Sequence, residues 1–393
     1  MSLFSPYDYA FHEDPYPIYE RLRREAPLYR NDEFDFWALS RHVDVLAAFR
    51  DIDGFSNANG VSLDPSAYGP HASQTMSFLA MDPPKHTRMR KLANKGFTPR
   101  TVAQLEDRVR EITVEHLEPA LDLGSFDFIA DFAGKVPMDV ISELIGVPRA
   151  DRAELRRLAD LVVHRQEGLF DVPVAGQEAA LEMVVYFAEM VTERRRHPGD
   201  DLTSELIEAD IEGDRLHDEE LIAFLFLMVV AGNETTTKLL GNAWYWAWRN
   251  PTERVKPFAD AARIPAWVEE TLRFDNSSQM VLRTLKRDLT VDGTTVAAGE
   301  RVLLLIGAAN RDETVFEAPD RYNLDRDTTK SLSFGNGRHF CMGAPLARLE
   351  GRVALEELVR RVADYEVDMA GTRWVHSSNV RGFEALATTV EVR

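Results

Sequence analysis

Phe334-Gly335-Asn336-Gly337-Arg338-His339-Phe340-Cys341-Met342-Gly343 is the stretch on which the reading of this chain turns, and it runs into Ala344-Pro345-Leu346-Ala347-Arg348-Leu349-Glu350. Gly335, Gly337 and Gly343 allow positive φ and a close approach of the backbone to a flat ligand. Cys341 is the only cysteine of the chain. It stands where a helix is expected to begin, so unpaired amide N–H groups and the helix dipole favour its thiolate. Without such surroundings, a lone cysteine reads as a small buried hydrophobe.

Working outward, the 393 residues carry 46 Lys+Arg against 65 Asp+Glu, a net charge of −19, with 45% hydrophobic residues. A chain of this length buries a large core without staples. One cysteine excludes an intrachain disulfide framework, a multi-cysteine zinc site and a four-cysteine iron–sulfur cluster. The acidic balance disfavours nucleic acid or an anionic membrane as main partner. The N-terminus lacks the basic-then-apolar pattern of a secretory signal. The longest apolar run, Leu221 to Ala231, falls well short of the roughly 20 residues that span a bilayer. A soluble, cytoplasmic protein without membrane insertion is expected.

No long linker or fixed-period repeat breaks the chain, so a single domain over 1–393 is expected. Helical periodicity covers Tyr16 to Glu25, Val43 to Arg50, Gln104 to Leu117, Arg149 to Val163, Gln177 to Arg196 and Asp218 to Asn250. Strand signals are short: Phe36 to Leu39, Thr290-Val291 and Thr295-Val296 around Asp292-Gly293, Val302 to Ile306, and Ala385 to Val392. The fold class is mainly α with a minor β region. No phosphate-binding glycine loop is present, which disfavours a nucleotide-binding doubly wound fold.

The apolar run Leu221 to Ala231 reads as a helix buried on every side. It leads into Gly232-Asn233-Glu234-Thr235-Thr236-Thr237-Lys238, where glycine and threonines are poor helix formers and a buried carboxylate needs a partner. Two helices joined at Gly232 and one continuous helix of roughly 46 Å are both compatible with this pattern. The cluster Trp244-Tyr245-Trp246-Ala247-Trp248 reads as core packing.

A thiolate among amide donors and beside an apolar ring makes a good axial ligand to haem iron. The loop around Cys341 closely resembles the cysteine-ligand loop of the cytochrome P450 family, Phe-Gly-x-Gly-x-(His or Arg)-x-Cys-x-Gly, with every fixed position filled. The resemblance extends over most of the chain. Glu270-Thr271-Leu272-Arg273 matches the family's Glu-x-x-Arg pair, and Pro319-Asp320-Arg321-Tyr322 matches the motif that completes it. Glu270, Arg273 and Arg321 are therefore expected to form a buried charge network. Asp82-Pro83-Pro84-Lys85-His86-Thr87-Arg88-Met89-Arg90 resembles the bacterial Asp-Pro-Pro-x-His-x-x-x-Arg stretch. Ala231-Gly232-Asn233-Glu234-Thr235-Thr236 matches the (Ala/Gly)-Gly-x-(Asp/Glu)-Thr motif of a long helix over the oxygen-binding face, which favours one continuous helix.

The resemblance implies a cytochrome P450 fold, with haem b between that long central helix and the cysteine loop and with Cys341 as the iron ligand. Phe334, Gly335 and Gly343 of the loop are expected to bind the haem, while His86, Arg90, Arg283 and His339 are expected at its propionates. Thr235 would act at the oxygen-binding face and Glu234 would relay protons. The implied activity is a monooxygenase that hydroxylates or epoxidises a hydrophobic small molecule with dioxygen, as a monomer supplied with electrons by a ferredoxin and ferredoxin reductase. Arg338, His339, Arg348 and Arg352, with Lys91, Lys95 and Arg100 nearby, would form a basic dock for that ferredoxin. Family topology assigns the substrate pocket to Leu63, Phe78, Leu79, Phe170, Val174, Val230, Ala231, Met280 and Val281. A peroxide-driven peroxygenase of the same fold and a non-catalytic haem-binding sensor are the alternatives. Peroxygenase members typically lack the acid–threonine pair that Glu234-Thr235 supplies.

Overall fold

A computed structural model describes residues 3–210 and 213–393, all but the side chain of Lys95. Its axis is one unbroken helix of 32 residues, Asp218–Arg249. The helix opens on a capping box between His217 and Glu220 and gives way at Asn250, before Pro251. The polar interruption survives inside it because its side chains find partners close by. Thr235 donates its hydroxyl to the Ala231 carbonyl at 2.8 Å, and Thr237 donates to the Ala133 carbonyl at 3.4 Å. Lys238 Nζ lies 3.1 Å from Glu234 Oε2 one turn away. Length and composition would let this helix cross a membrane, but 67% of its most apolar window is buried inside the protein, as befits a core helix.

The helices Val136–Ile145, Arg152–Val163 and Val174–Arg196 pack along one side of the central helix, and Ile264–Phe274 and Ala344–Arg361 pack along another. Trp244 stacks between Phe128 and Tyr365, with ring centroids at 5.1 and 3.5 Å. The aromatic cluster is therefore core, as its sequence suggested.

A five-stranded sheet lies to one side, in the order Leu28–Asn31, Phe36–Leu39, Arg301–Leu305, Met280–Leu285, Phe55–Ser56. Only the pair Phe36–Leu39 and Arg301–Leu305 is parallel. Strand alternation turns Met280 into the core of Phe4, Phe11, Tyr19 and Leu303, and Val281 toward the opposite face. The hairpin Leu289–Val291 and Thr294–Val296 closes through Asp292 and Gly293, at φ 49° and 81°, the left-handed pair that such a tight turn requires. Ala387–Val392 pairs with both Ser125–Asp127 and Val362–Val367, tying the C-terminal segment to the body.

The expected charge network forms, with one member changed. Arg273 is fully buried and donates twice to Glu270 at 2.8 Å, while its remaining fork reaches the carbonyls of Asn310 and Pro319 at 2.9 and 3.0 Å. The second cation is Arg326, whose Nε lies 3.3 Å from Glu270 Oε1. Arg321 is exposed instead. It closes a turn in which its amide donates to the Ala318 carbonyl at 3.0 Å, and its own carbonyl accepts from Arg326 at 3.0 Å. That turn points the Arg321 side chain outward while the chain brings Arg326 back over Glu270.

Candidate active site

The cysteine loop is held as a scaffold of backbone contacts. The Cys341 amide donates to the Phe334 carbonyl at 2.9 Å, and Gly335 and Gly337 both sit at φ 70°. At Gly337 a Cβ would stand 2.7 Å from the Phe49 carbonyl oxygen, so no other residue fits without moving the chain. Beyond the loop, Pro345 opens the Ala344–Arg361 helix, and its first turn brings the amides of Gly343 and Ala344 near the cysteine sulfur, where they favour the thiolate. Burial pushes the Cys341 thiol up. These two amides and the charges of Arg90 and Arg348 work the other way.

The sulfur opens onto a cavity of about 280 Å³ between this loop and the central helix. Phe334, Gly335 and Cys341 form one wall, while Met228, Ala231, Gly232 and Thr235 form the other. Around the rim stand basic groups with no anion. Arg283 is buried, donates only to the adjacent Leu282 carbonyl at 2.7 Å, and is within ion-pair distance of no carboxylate among the described residues. Burial pushes it down to about 10. Neither ring nitrogen of buried His86 has a hydrogen-bond partner, and Nδ1 of His339 has none either. The two rings lie 4.1 Å apart. His86 is pushed down to about 4, chiefly by burial and then by Arg90 and Arg338. His339 is driven down to about 2, again chiefly by burial and then by His86 and Arg283. A buried cation without a partner is costly, so the rim fits a dianionic ligand whose acids would meet Arg283, His86 and His339. Together with a sulfur open to the cavity, this suits a haem with two propionates.

Arg90 also lines the cavity. Its guanidinium donates to the carbonyls of Arg338 and Phe340 at 2.9 and 2.6 Å, clasping the Lys85–Ala93 helix to the cysteine loop beside the rim.

Thr235 faces the cavity, and its carbonyl accepts from Ser277 Oγ at 2.6 Å. Glu234 does not line the cavity; it is buried on the other face of the helix with Lys238 and Asp160. Burial opposes its charge, yet Lys238, the neighbouring Asp160 and Arg156 outweigh that and lower its pKa.

Of the expected pocket residues, Phe78, Leu79, Ala231 and Val281 line the cavity. Leu63 and Met280 are buried in the core beside the five-stranded sheet. Val230 falls between the cavity-facing positions 228, 231, 232 and 235 and packs on the helical core. Phe170 and Val174 are exposed, and Phe170 lies against Tyr7 and Phe34 at 5.4 and 4.8 Å between centroids. The loop that carries it covers the N-terminal segment and leaves the cavity to others. Ile141, Leu227, Asn276, Ser277 and Glu350 line the cavity without having been anticipated. Helical spacing from Ala231 could have signalled Leu227. Ser277 carries no local signal.

A cysteine sulfur over which a planar cofactor fits, a basic rim for its acids and a threonine on the facing helix define a haem-thiolate protein. The chain belongs to the cytochrome P450 family. The family profile described as Cytochrome P450 matches residues 262–374. Cytochrome P450 123 of Mycobacterium tuberculosis is 58% identical over 392 residues, covering 100% of this chain and 98% of that protein. Among solved structures, cytochrome P450 CYP109Q5 from Chondromyces apiculatus matches with TM-score 0.89 and 35% identity, over 99% of this chain and 98% of that one. CYP109E1 from Bacillus megaterium, in complex with testosterone, matches with TM-score 0.89 and 31% identity, over 96% and 97%. As in this family, the cofactor is haem with Cys341 as its axial ligand, and the protein is a haem monooxygenase.

Proposed function

We propose that this monooxygenase hydroxylates or epoxidises a hydrophobic small molecule held above the haem, as a cytoplasmic, single-domain monomer reduced by a separate ferredoxin and its reductase. The observation that carries the reading is the cavity wall itself, in which Phe78, Leu79, Ile141, Leu227, Met228 and Val281 surround Thr235. The testosterone bound by CYP109E1 is a molecule of that hydrophobic kind.

When bound, haem supplies dioxygen activation, with the cysteine thiolate favouring O–O cleavage. The chain's own residues do the rest. Arg283, His86 and His339 would hold the propionates. The Cys341 amide, bonded to the Phe334 carbonyl, holds the ligand residue in place. Because Thr235 spends its proton on the Ala231 carbonyl, its oxygen presents lone pairs to the cavity and accepts a hydrogen bond there. Glu234, on the next residue, carries protons from the outer side of the helix to that position. The apolar wall orients the substrate and excludes water.

The electron-transfer face is narrower than the sequence implied. Arg348 is paired with Glu269 at 2.5 Å, and Arg352 with Glu106 and Glu356 at 2.6 and 2.8 Å. Lys95 lies outside the described side chains. Lys91, Arg100 and Arg338 remain exposed, and they form the dock for an acidic ferredoxin.

A screen of hydrophobic compounds for a spin-state shift of the haem, followed by product analysis with a ferredoxin system, tests the reading. Binding of apolar polycycles or long chains is the expected result. Failure of the reduced, carbon-monoxide-bound protein to show the red-shifted thiolate Soret band would overturn it. Replacing Thr235 with Ala should uncouple electron consumption from product and release peroxide.

A further inference from the structure

Residues 275–278 lead from the end of the Ile264–Phe274 helix toward the strand Met280–Leu285, and on the way they are fastened to the central helix at three places. Asn242 Nδ2 donates to the Asp275 carbonyl at 2.8 Å, and Trp246 Nε1 donates to the Asp275 carboxylate at 2.7 Å. The third fastening runs the other way, with Ser277 Oγ donating to the Thr235 carbonyl at 2.6 Å. Positions 235, 242 and 246 are seven and four residues apart, so they share one face of the helix. Thr235 lines the cavity, whereas Asn242 and Trp246 do not.

Thr235 is therefore pulled from two sides. Its hydroxyl donates back to the Ala231 carbonyl at 2.8 Å, a bond of the kind that bends a helix, and its carbonyl is drawn by Ser277. The first contact fixes the side chain and the second fixes the backbone that carries it. Ser277 is itself held in place. It is 5% exposed, its carbonyl accepts from the Arg381 amide at 2.8 Å, and the Arg381 side chain grips the Asp275 carboxylate at 2.7 Å. Although Ser277 lies along the cavity wall, its one hydroxyl proton is committed to the helix and is not offered to a substrate.

We propose that Ser277 is a positioning residue for Thr235, setting through the Thr235 carbonyl where the threonine hydroxyl stands in the cavity and hence how fully dioxygen consumption is coupled to product. The proposal rests on the reading that Thr235 acts at the oxygen-binding face. Removing the serine hydroxyl frees the Thr235 carbonyl from the loop, while the fastenings at Asn242 and Trp246 remain. The fold survives and the threonine shifts.

The test uses the haem-loaded protein with ferredoxin, reductase and the apolar compound that gives the largest spin-state shift in the screen. Ser277→Ala should lower the product formed per electron pair about five-fold, because small displacements of a positioned group are enough for such a loss. The missing electrons should be recovered as hydrogen peroxide. The midpoint of the spin-state titration should stay within about two-fold, as for a residue that does not bind substrate. Ser277→Thr and Ser277→Val have the same shape and differ in the hydroxyl, so Thr should recover most of the coupling that Val loses. In a Thr235→Ala background, Ser277→Ala should add no further loss. Trp246→Phe, which removes a fastening away from the cavity, should lower the unfolding midpoint and keep the coupling. Independently of turnover, hydrogen exchange over residues 232–239 should quicken in Ser277→Ala and Ser277→Val but not in Ser277→Thr.

If Thr235→Ala uncouples while Ser277→Ala does not, the positioning role is overturned and the Thr235 reading stands. If Thr235→Ala leaves coupling unchanged, both are overturned. Equal coupling in the Thr and Val variants, a further loss in the Thr235→Ala background, or uncoupling by Trp246→Phe as large as that by Ser277→Ala reduces the bond to a structural one and overturns the proposal. A fall in substrate affinity with coupling intact makes Ser277 a substrate contact and overturns it as well.

Discussion

Two buried arginines, ten residues apart in the chain, show how the same side chain serves opposite ends. Arg273 sits in the core with every arm of its fork engaged by Glu270 and two carbonyls. Arg283 sits at the cavity rim with only the neighbouring Leu282 carbonyl. The first site is electrostatically complete within the chain. The second is complete only when an anion arrives from outside, and an incomplete buried charge marks where a ligand belongs.

That contrast can be broken by substitution. Arg273→Ala strands Glu270 as a buried carboxylate and should cost about 3–5 kcal/mol of stability, read by denaturant unfolding. A loss below about 1 kcal/mol would mean the core network is not the anchor it looks like.

Glu350 extends the comparison to acids. It is 2% exposed, its Oε2 has no hydrogen-bond partner, and burial pushes it up to about 8. Between its ordinary value and about 8 the folded protein binds a proton that the unfolded chain has released. Stability therefore falls as pH rises through that window, by up to about 1.4 kcal/mol per pH unit, and levels off above it. Unfolding midpoints measured across the window should show this slope, and Glu350→Gln should flatten it. An unchanged slope in that variant would assign the loss to other groups.

At the rim, Arg283→Ala removes a buried charge that has no partner, so the haem-free protein should keep its stability or gain. The haem-loaded protein should release haem about ten-fold faster, in line with losing a charge-assisted hydrogen bond. Haem transfer to a scavenging apoprotein measures it. Equal release rates would remove Arg283 from the propionate contacts.

The smallest effect separates two arginines of one loop. Arg326→Ala should cost about 1–2 kcal/mol, because it leaves Glu270 one cation short, whereas Arg321→Ala should stay within about 0.5 kcal/mol, as surface changes do. The reverse order in thermal unfolding would restore Arg321 to the network.

Much of this was legible in the sequence, for reasons that differ by region. The cysteine loop and the central helix are local objects, specified by glycine positions, a threonine at a fixed step and apolar runs. The structure keeps them where they were expected. Arg321 failed because a turn between Ala318 and Arg321 reverses the chain, and no spacing rule says which arginine of a loop returns to the core. Arg348 and Arg352 dropped out of the expected basic patch for a similar reason. Glu106 and Glu269, far away in the chain, pair with Arg352 and Arg348. Met280 and Val281 show a limit of another kind: strand alternation says that one of them faces the cavity, but only the packed sheet says which.

The Arg90 clasp has a mechanical side. By gripping the carbonyls of Arg338 and Phe340, it makes the Lys85–Ala93 helix and the ligand loop two jaws of one vice. A planar ring held between Cys341 below and the rim bases at its edge cannot slip out by bending a single jaw. Both must give way together, so escape of the cofactor is a concerted opening, and the grip tightens or fails as a unit.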